Sequence, residues 1–151
     1  ATIAENVGYA RPSAKEGDIR QAIEAAGLTD LISSMPDGIN TVVGERGSQL
    51  SAGERQRVAI ARAYLAEPSV LIFDEATGAL DPMSEAAVIS GYDALMRGRT
   101  TVLITHRIDV ARQADRVIVL KNGRVAEDGL LSDLEIQGTA FRDIFLDAQT
   151  G

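Results

Sequence analysis

The sequence contains no cysteine, only one histidine (His106) and only two lysines, Lys15 and Lys121. The absence of cysteine excludes disulfides, thiol nucleophiles and cysteine-ligated metal sites, and a single histidine excludes a multi-histidine metal site. No apolar run approaches the ~20 residues that a helix needs to cross a bilayer. The start has no basic region followed by an apolar stretch, so no signal peptide is predicted. We therefore expect a soluble chain.

Positive charge is also scarce. Lys and Arg total 15 against 22 Asp and Glu, which gives a net charge of −7 over 151 residues. A protein that binds nucleic acid through its surface needs clustered Lys and Arg to neutralise phosphates, so we expect no nucleic-acid partner. Apolar residues make up 45% of the chain, which is enough for one domain with a sizeable core.

The apolar periodicity predicts an α/β fold in which helices and strands alternate. Ser51 and Glu54 have the spacing of a capping box and predict a largely buried helix from Ser51 to about Ala66. Strand, helix, strand then follow as a βαβ unit, and neither strand alternates in polarity, which predicts burial on both faces. The other predicted elements are a helix around Ile19–Ala26, a shorter helix at Ile108–Ala114, strands at Arg116–Leu120 and Val125–Glu127 joined by an Asn122-Gly123 turn, and two helices in the tail. Residues 1–16 are predicted to be irregular, and residues 33–50 to be a loop with a short strand at 41–43.

Polar side chains follow both strands of the βαβ unit, where ligands collect in parallel sheets. Asp74 and Glu75 follow the first strand, and His106 follows the second. One carboxylate can hold Mg²⁺ and the other can orient or deprotonate a water; the alternative is that both acids merely cap a turn and that the histidine is an ordinary surface residue. The helix start at Ser51 and Gly53 is a candidate phosphate site, with an ordinary capping box as the alternative.

Taken in series, four segments resemble motifs of the ATP-binding-cassette (ABC) ATPases. Residues 50–57 (LSAGERQR) are similar to the signature motif, and residues 70–77 (VLIFDEAT) to the Walker B strand with its glutamate. Residues 78–81 (GALD) resemble the D-loop, and residues 104–107 (ITHR) the switch-histidine loop. Residues 43–47 (VGERG) and 1–7 (ATIAENV) are similar to segments of transporters of the exporter type. The chain is thus identified as the C-terminal portion of an exporter-type nucleotide-binding domain.

This resemblance implies a fold, a division of the chain and several partners. The fold would be the three-layer parallel-sheet core of P-loop NTPases, incomplete, with a helical subdomain that carries the signature motif. The helical subdomain would cover about residues 1–67, the α/β core 68–129, and C-terminal helices 130–151. A second nucleotide-binding domain would bind head to tail, and the Gly44–Gly47 region would contact a transmembrane domain at the cytoplasmic face of the cell membrane.

The resemblance also implies roles for individual residues toward ATP and Mg²⁺. Asp74 would coordinate Mg²⁺, Glu75 would polarise the attacking water, and His106 would contact the γ-phosphate. The phosphate of the opposing subunit's nucleotide would meet the signature residues, and Asp81 would communicate across the dimer interface. The signature residues are Ser51, Ala52, Gly53 and Glu54, of which Ala52 stands where the family usually has glycine and Glu54 where it has glutamine.

The sequence has no Gly-Lys-Ser or Gly-Lys-Thr, which a phosphate-binding loop requires. We expect that the phosphate-loop part is missing and that the chain alone neither binds ATP tightly nor hydrolyses it. We also expect the chain alone to self-associate or to be only marginally stable. Two alternatives stay open: a DNA-repair or chromosome-maintenance ATPase, and a non-catalytic interaction module that pairs with an intact domain.

Overall fold

The computed structural model describes residues 1–44, 48–74 and 82–145, with side chains from residue 85 onward in the last range. The helices are α1 (Ile3–Gly8), α2 (Glu16–Ala25), α3 (Thr29–Ser34), a 3-10 helix (Gly38–Asn40), α4 (Ala52–Ala66), α5 (Pro82–Met96), α6 (Ile108–Ala111), α7 (Leu131–Gln137) and α8 (Thr139–Phe145). The strands are β1 (Val70–Asp74), β2 (Thr100–Ile104), β3 (Val117–Lys121) and β4 (Arg124–Gly129).

The described residues divide into two compact units. The first comprises those of Ala1–Leu71 and Thr77–Thr101, and the second those of Ile72–Ala76 and from Val102 onward. The predicted boundaries near residues 67 and 129 remain predictions.

In the first unit, α1, α2 and α5 pack against α4. Its most deeply buried large side chains are apolar residues of α1 and α5 and of the turn after α2: Ile3, Val7, Leu28, Val88 and Leu95. The Arg62 guanidinium on α4 donates to the backbone oxygen of Asn6 at 3.0 Å and to its Oδ1 at 3.2 Å, which fastens α1 to α4.

The opening of the chain is more regular than predicted. Thr2 caps α1, and Glu5 reaches back to the Thr2 backbone nitrogen, which completes a capping box. The Thr-x-x-Glu spacing was the sequence signal for this helix, whose buried residues are Ile3 and Val7. The short strand predicted at residues 41–43 is limited to an isolated antiparallel bridge between Thr2 and Val42.

β1 and β2 pair in a two-stranded sheet, and α5 returns the chain between them so that the strands run parallel. The prediction of burial on both faces is wrong. Leu71 is buried, but Val70, Ile72, Val102 and Ile104 are 56%, 68%, 46% and 49% exposed. Burial of both faces requires cover on both sides of the sheet, and the described residues supply it on one. We call these four side chains the apolar sheet face.

The second unit contains the predicted hairpin and helical tail. β3 and β4 pair antiparallel, and Asn122 and Gly123 have φ of 53° and 73°, as a type I′ turn requires. The rings of Phe141 and Phe145 lie 4.8 Å apart in a small core with Val119 and Leu134. α6 ends at Ala111, three residues earlier than predicted, and only Ala111 on it is buried.

Candidate functional site

The signature residues lie at the start of α4, as predicted. Ser51 is the N-cap: its Oγ accepts from the Glu54 backbone nitrogen at 3.3 Å, and the Glu54 carboxylate accepts from the Ser51 nitrogen at 2.7 Å. Both bonds are local, so the four-residue sequence is sufficient to form them. We call Ser51–Glu54 the signature tip.

The signature tip keeps hydrogen-bond donors for a ligand. The Ser51 hydroxyl accepts in the capping box and retains its own hydrogen to donate. Ser51 and Ala52 are exposed, whereas Gly53 is buried. Arg55 donates to the Leu50 carbonyl and so holds the residue before the tip. An exposed helix start of this kind attracts anions through its unpaired N–H groups and dipole.

The second group of predicted residues follows the β1–β2 sheet. Asp74 is the last residue of β1 and is exposed, and His106 lies two residues beyond the end of β2 and is also exposed. Because the strands are parallel, their carboxyl ends meet at one edge, so Asp74 and His106 share that edge. The predicted residues Glu75 and Asp81 lie outside the described residues.

His106 lies in a turn that its neighbours hold. The backbone nitrogen of Arg107 donates to Thr105 Oγ1 at 3.0 Å, across His106. The Arg107 guanidinium donates to both carboxylate oxygens of Asp109, at 3.2 and 2.6 Å, and lowers the pKa of that carboxyl. Thr105 and Asp109 are supports that the sequence predictions do not include; the Thr-x-Arg-x-Asp spacing around the histidine was the available signal.

Gly44, at the edge of the predicted membrane-domain contact, is the one residue of Gly44–Gly47 that the structure describes. Its φ is +72°, and a Cβ there would lie 2.5 Å from Ser48 Oγ, so both conformation and space favour glycine.

The acidic residue at the sheet edge suits a hard cation whose coordination shell is completed by phosphate oxygens. In the described ranges no group of three His, Cys, Asp or Glu side chains could hold a metal. Mg²⁺ is commonly bound by one or two carboxylates together with substrate phosphates and water. Among the described residues at this edge, the exposed Asp74 carboxylate fits that arrangement.

The structure thus brings Asp74 and His106 to one edge within the second unit, and it places the whole signature tip in the first unit. Among the described helices, none is long and apolar enough to span a membrane.

Comparisons with known proteins agree with the motifs. A family profile described as "ABC transporter" matches residues 1–78. The mycobactin import ATP-binding/permease protein IrtB of Mycobacterium tuberculosis is 50% identical over 140 residues, which is 93% of this chain and 24% of that protein. The ATP-dependent lipid A-core flippase of Ralstonia nicotianae is 48% identical over 136 residues, 88% of this chain and 23% of the relative.

A solved structure supports the same assignment. A bacterial Atm1-family ABC exporter with ATP bound is 39% identical with a TM-score of 0.87, over 99% of this chain and 26% of that one. This confirms the α/β fold class and its incomplete P-loop NTPase core. The chain spans about a quarter of the length of these proteins. On these matches, the prediction of an exporter-type nucleotide-binding domain is confirmed, and the chain belongs to the ABC transporter family.

Proposed function

We propose that this chain is the signature-containing part of an ATPase domain that powers an ABC exporter at the cytoplasmic face of a membrane. The observation that carries the proposal is the shared edge at which parallel β1 and β2 end, because it brings an acid and an imidazole together in a member of this family. The relatives are named as an ATP-binding permease and an ATP-dependent flippase, which favours transport over DNA repair or chromosome maintenance.

In the proposed mechanism each residue has one task. Asp74 would hold Mg²⁺, which would neutralise phosphate charge, and Glu75 orients the attacking water and takes its proton as the bond between the γ-phosphorus and the leaving ADP oxygen breaks. His106 donates to the γ-phosphate from the turn that Thr105 and Arg107 hold. Positioning and charge neutralisation provide most of the catalysis in phosphoryl transfer, so fixed tips at strand ends suit the task.

The signature tip acts on the nucleotide of the opposing subunit. Its Ser51 hydroxyl and the α4 backbone N–H groups meet the γ-phosphate, so that two domains enclose two nucleotides head to tail. Asp81, just before α5, communicates across this interface. The Gly44–Gly47 region contacts the transmembrane domain.

The main experiment is ATP hydrolysis by the full-length protein with Glu75→Gln. Loss of the general base is expected to lower turnover by about 100- to 10,000-fold, while ATP binding is retained and the ATP-dependent dimer accumulates. Turnover is measured by phosphate release and dimerisation by sedimentation. Asp128→Asn, which alters an exposed ion pair with Arg116, is the control and is expected to be silent. Unchanged turnover in Glu75→Gln would remove Glu75 from the mechanism, and no turnover in the unmodified protein would favour a non-catalytic interaction module.

The chain taken alone is expected to be inactive and to self-associate. The apolar sheet face exposes branched side chains of both strands, and uncovered faces of this kind promote association. Calorimetry of the 151-residue chain with Mg-ATP is expected to give no micromolar binding, and sedimentation is expected to give oligomers. Micromolar binding, or a stable compact monomer, would contradict these two expectations respectively.

A further inference from the structure

A hydrogen bond between two distant residues joins the signature helix α4 to α5. Gln56 Nε2 donates to the Tyr92 hydroxyl at 2.6 Å, and both side chains are half-buried. Burial raises the pKa of Tyr92 to about 12, in opposition to the smaller lowering by Gln56. The hydroxyl therefore stays protonated at physiological pH, and the bond between two neutral groups persists.

An apolar contact lies beside this hydrogen bond on the same pair of helices. Ile60 follows Gln56 by four residues and so lies on the same side of α4. A Cβ added at Gly91, the neighbour of Tyr92, would lie 3.3 and 3.4 Å from Ile60 Cδ1 and Cγ2. The helices are therefore in close contact here, and the Gln56–Tyr92 bond adds a directional polar contact to the apolar one.

The bonded residues connect the helix that carries the signature tip to the helix that follows Asp81. Gln56 lies in the first turns of α4, shortly after Ser51 and Gly53. Tyr92 lies on α5, which begins at Pro82, directly after Asp81. A helix is a stiff element, so a shift or rotation of α4 against α5 moves the signature tip by a similar amount.

Resting on the function proposed above, we infer that Gln56 and Tyr92 are positioning residues that hold the signature tip in register with α5, and so in the orientation in which Ser51 reaches the γ-phosphate. The inference assigns no contact with nucleotide to either residue. Loss of the Tyr92 hydroxyl leaves the Gln56 amide unsatisfied in a half-buried place, which favours displacement of α4.

The test is Tyr92→Phe in the full-length protein. We expect the Mg-ATP concentration for half-maximal turnover to rise about 3- to 10-fold, and the ATP-dependent dimer of the Glu75→Gln protein to need correspondingly more ATP. The turnover number at saturation is expected to change less than about 2-fold, because Glu75 and His106 are untouched. Tyr64→Phe is the matched control: Tyr64 is on α4, and the substitution keeps the ring that lies 5.7 Å from the Arg99 guanidinium carbon.

A second variant separates position from stability. Gln56→Met with Tyr92→Phe removes both members of the Gln56–Tyr92 hydrogen bond, so the melting temperature is expected to lie above that of Tyr92→Phe alone, while the Mg-ATP concentration for half-maximal turnover stays raised. The inference is overturned if Tyr92→Phe and Tyr64→Phe need the same Mg-ATP concentration for half-maximal turnover. It is also overturned if the double variant regains both its stability and the Mg-ATP requirement of the unmodified protein. An unmodified protein without turnover would overturn the proposed function and this inference with it, and that result is seen before any variant is compared.

Discussion

The N-termini of α4 and α8 are each closed by a carboxylate, and the two helices differ in where that carboxylate comes from. At α4, Glu54 belongs to the helix itself and bonds the Ser51 nitrogen at 2.7 Å. At α8, the carboxylate is that of Glu127 on β4. It accepts from the Ala140 and Phe141 nitrogens at 2.8 and 2.9 Å and from the Thr139 hydroxyl at 3.2 Å.

The difference shows what each helix start depends on. The start of α4 is specified by four consecutive residues and forms wherever the helix forms, which leaves its outer surface available for a ligand. The start of α8 depends on the β3–β4 hairpin being folded, because the hairpin supplies the cap. The first arrangement suits a tip that must be presented to another molecule, and the second joins a terminal helix to its sheet.

The strongest way to break the α4 start is Ser51→Arg in the full-length protein. The substitution removes the cap, at about 1 kcal/mol, and places a long side chain where the opposing nucleotide must approach. We expect ATP turnover to fall by at least about 100-fold and the ATP-dependent dimer of the Glu75→Gln protein to be lost, while circular dichroism still reports a folded domain.

Ser33→Arg is the control for this change, since Ser33 is an exposed serine on α3 and receives the same bulk and charge away from the tip. It is expected to keep normal turnover. A Ser51→Arg protein that still dimerises with ATP would show that the signature tip does not lie at the interface.

The α8 start is expected to be sensitive to acid. Hydrogen bonds from Ala140, Phe141 and Thr139 lower the pKa of Glu127 below its usual value of 4.5, the bond from Ala140 being the largest cause. A carboxyl with a lowered folded-state pKa stabilises the fold above its unfolded pKa and loses that contribution as pH falls. Unfolding of the second unit is therefore expected to become easier below about pH 4.5, and Glu127→Gln is expected to remove the part of this pH dependence that Glu127 contributes, while Asp109, whose pKa is also lowered, keeps its own part.

The measurement is an acid titration of the Ala140 and Phe141 amide resonances, which should move together with Glu127. Glu135→Gln, in an exposed pair with Arg112 at 3.2 Å, is the matched control and should leave the acid titration of both amide resonances unchanged. If the two amides titrate unchanged in Glu127→Gln, another group must cap α8.

The same contrast explains how much of the fold and site could be predicted from the sequence. The α4 start and the Asn122-Gly123 turn follow from short-range patterns and are confirmed, and Asp74 and His106 lie at the ends of their strands, with Asp74 as the last residue of β1 rather than the first after it. The Glu127 cap and the Gln56–Tyr92 bond join residues 12 to 14 and 36 apart along the chain. No local pattern encodes such pairs, because packing decides which polar groups meet.

The prediction that both faces of the strands are buried was wrong for a related reason. Continuous apolar runs such as Val70–Phe73 indicate that both faces of a strand are suited to burial, but burial itself requires a covering layer. In the described residues Leu71 is covered and its neighbours Val70 and Ile72 are not. The composition of the strand therefore indicates the environment for which it is suited, which differs from the one that the described residues provide.

Glu54→Gln is expected to have the smallest effect. It separates the two roles of Glu54, which are to accept the cap hydrogen bond and to carry negative charge near the phosphate. The amide oxygen can still accept from the Ser51 nitrogen, so the cap persists, but the negative charge near the incoming phosphate is removed. We expect half-maximal turnover at about 2- to 3-fold lower ATP, an advantage that shrinks at high salt, together with a slightly less stable α4 because the charge also favours the helix dipole. Glu16→Gln, the first-turn glutamate of α2 that pairs with Arg20, should weaken its helix without changing the response to ATP. If Glu54→Gln instead raises the ATP requirement, the carboxylate acts chiefly by holding the shape of the tip, and its charge is not what opposes the nucleotide.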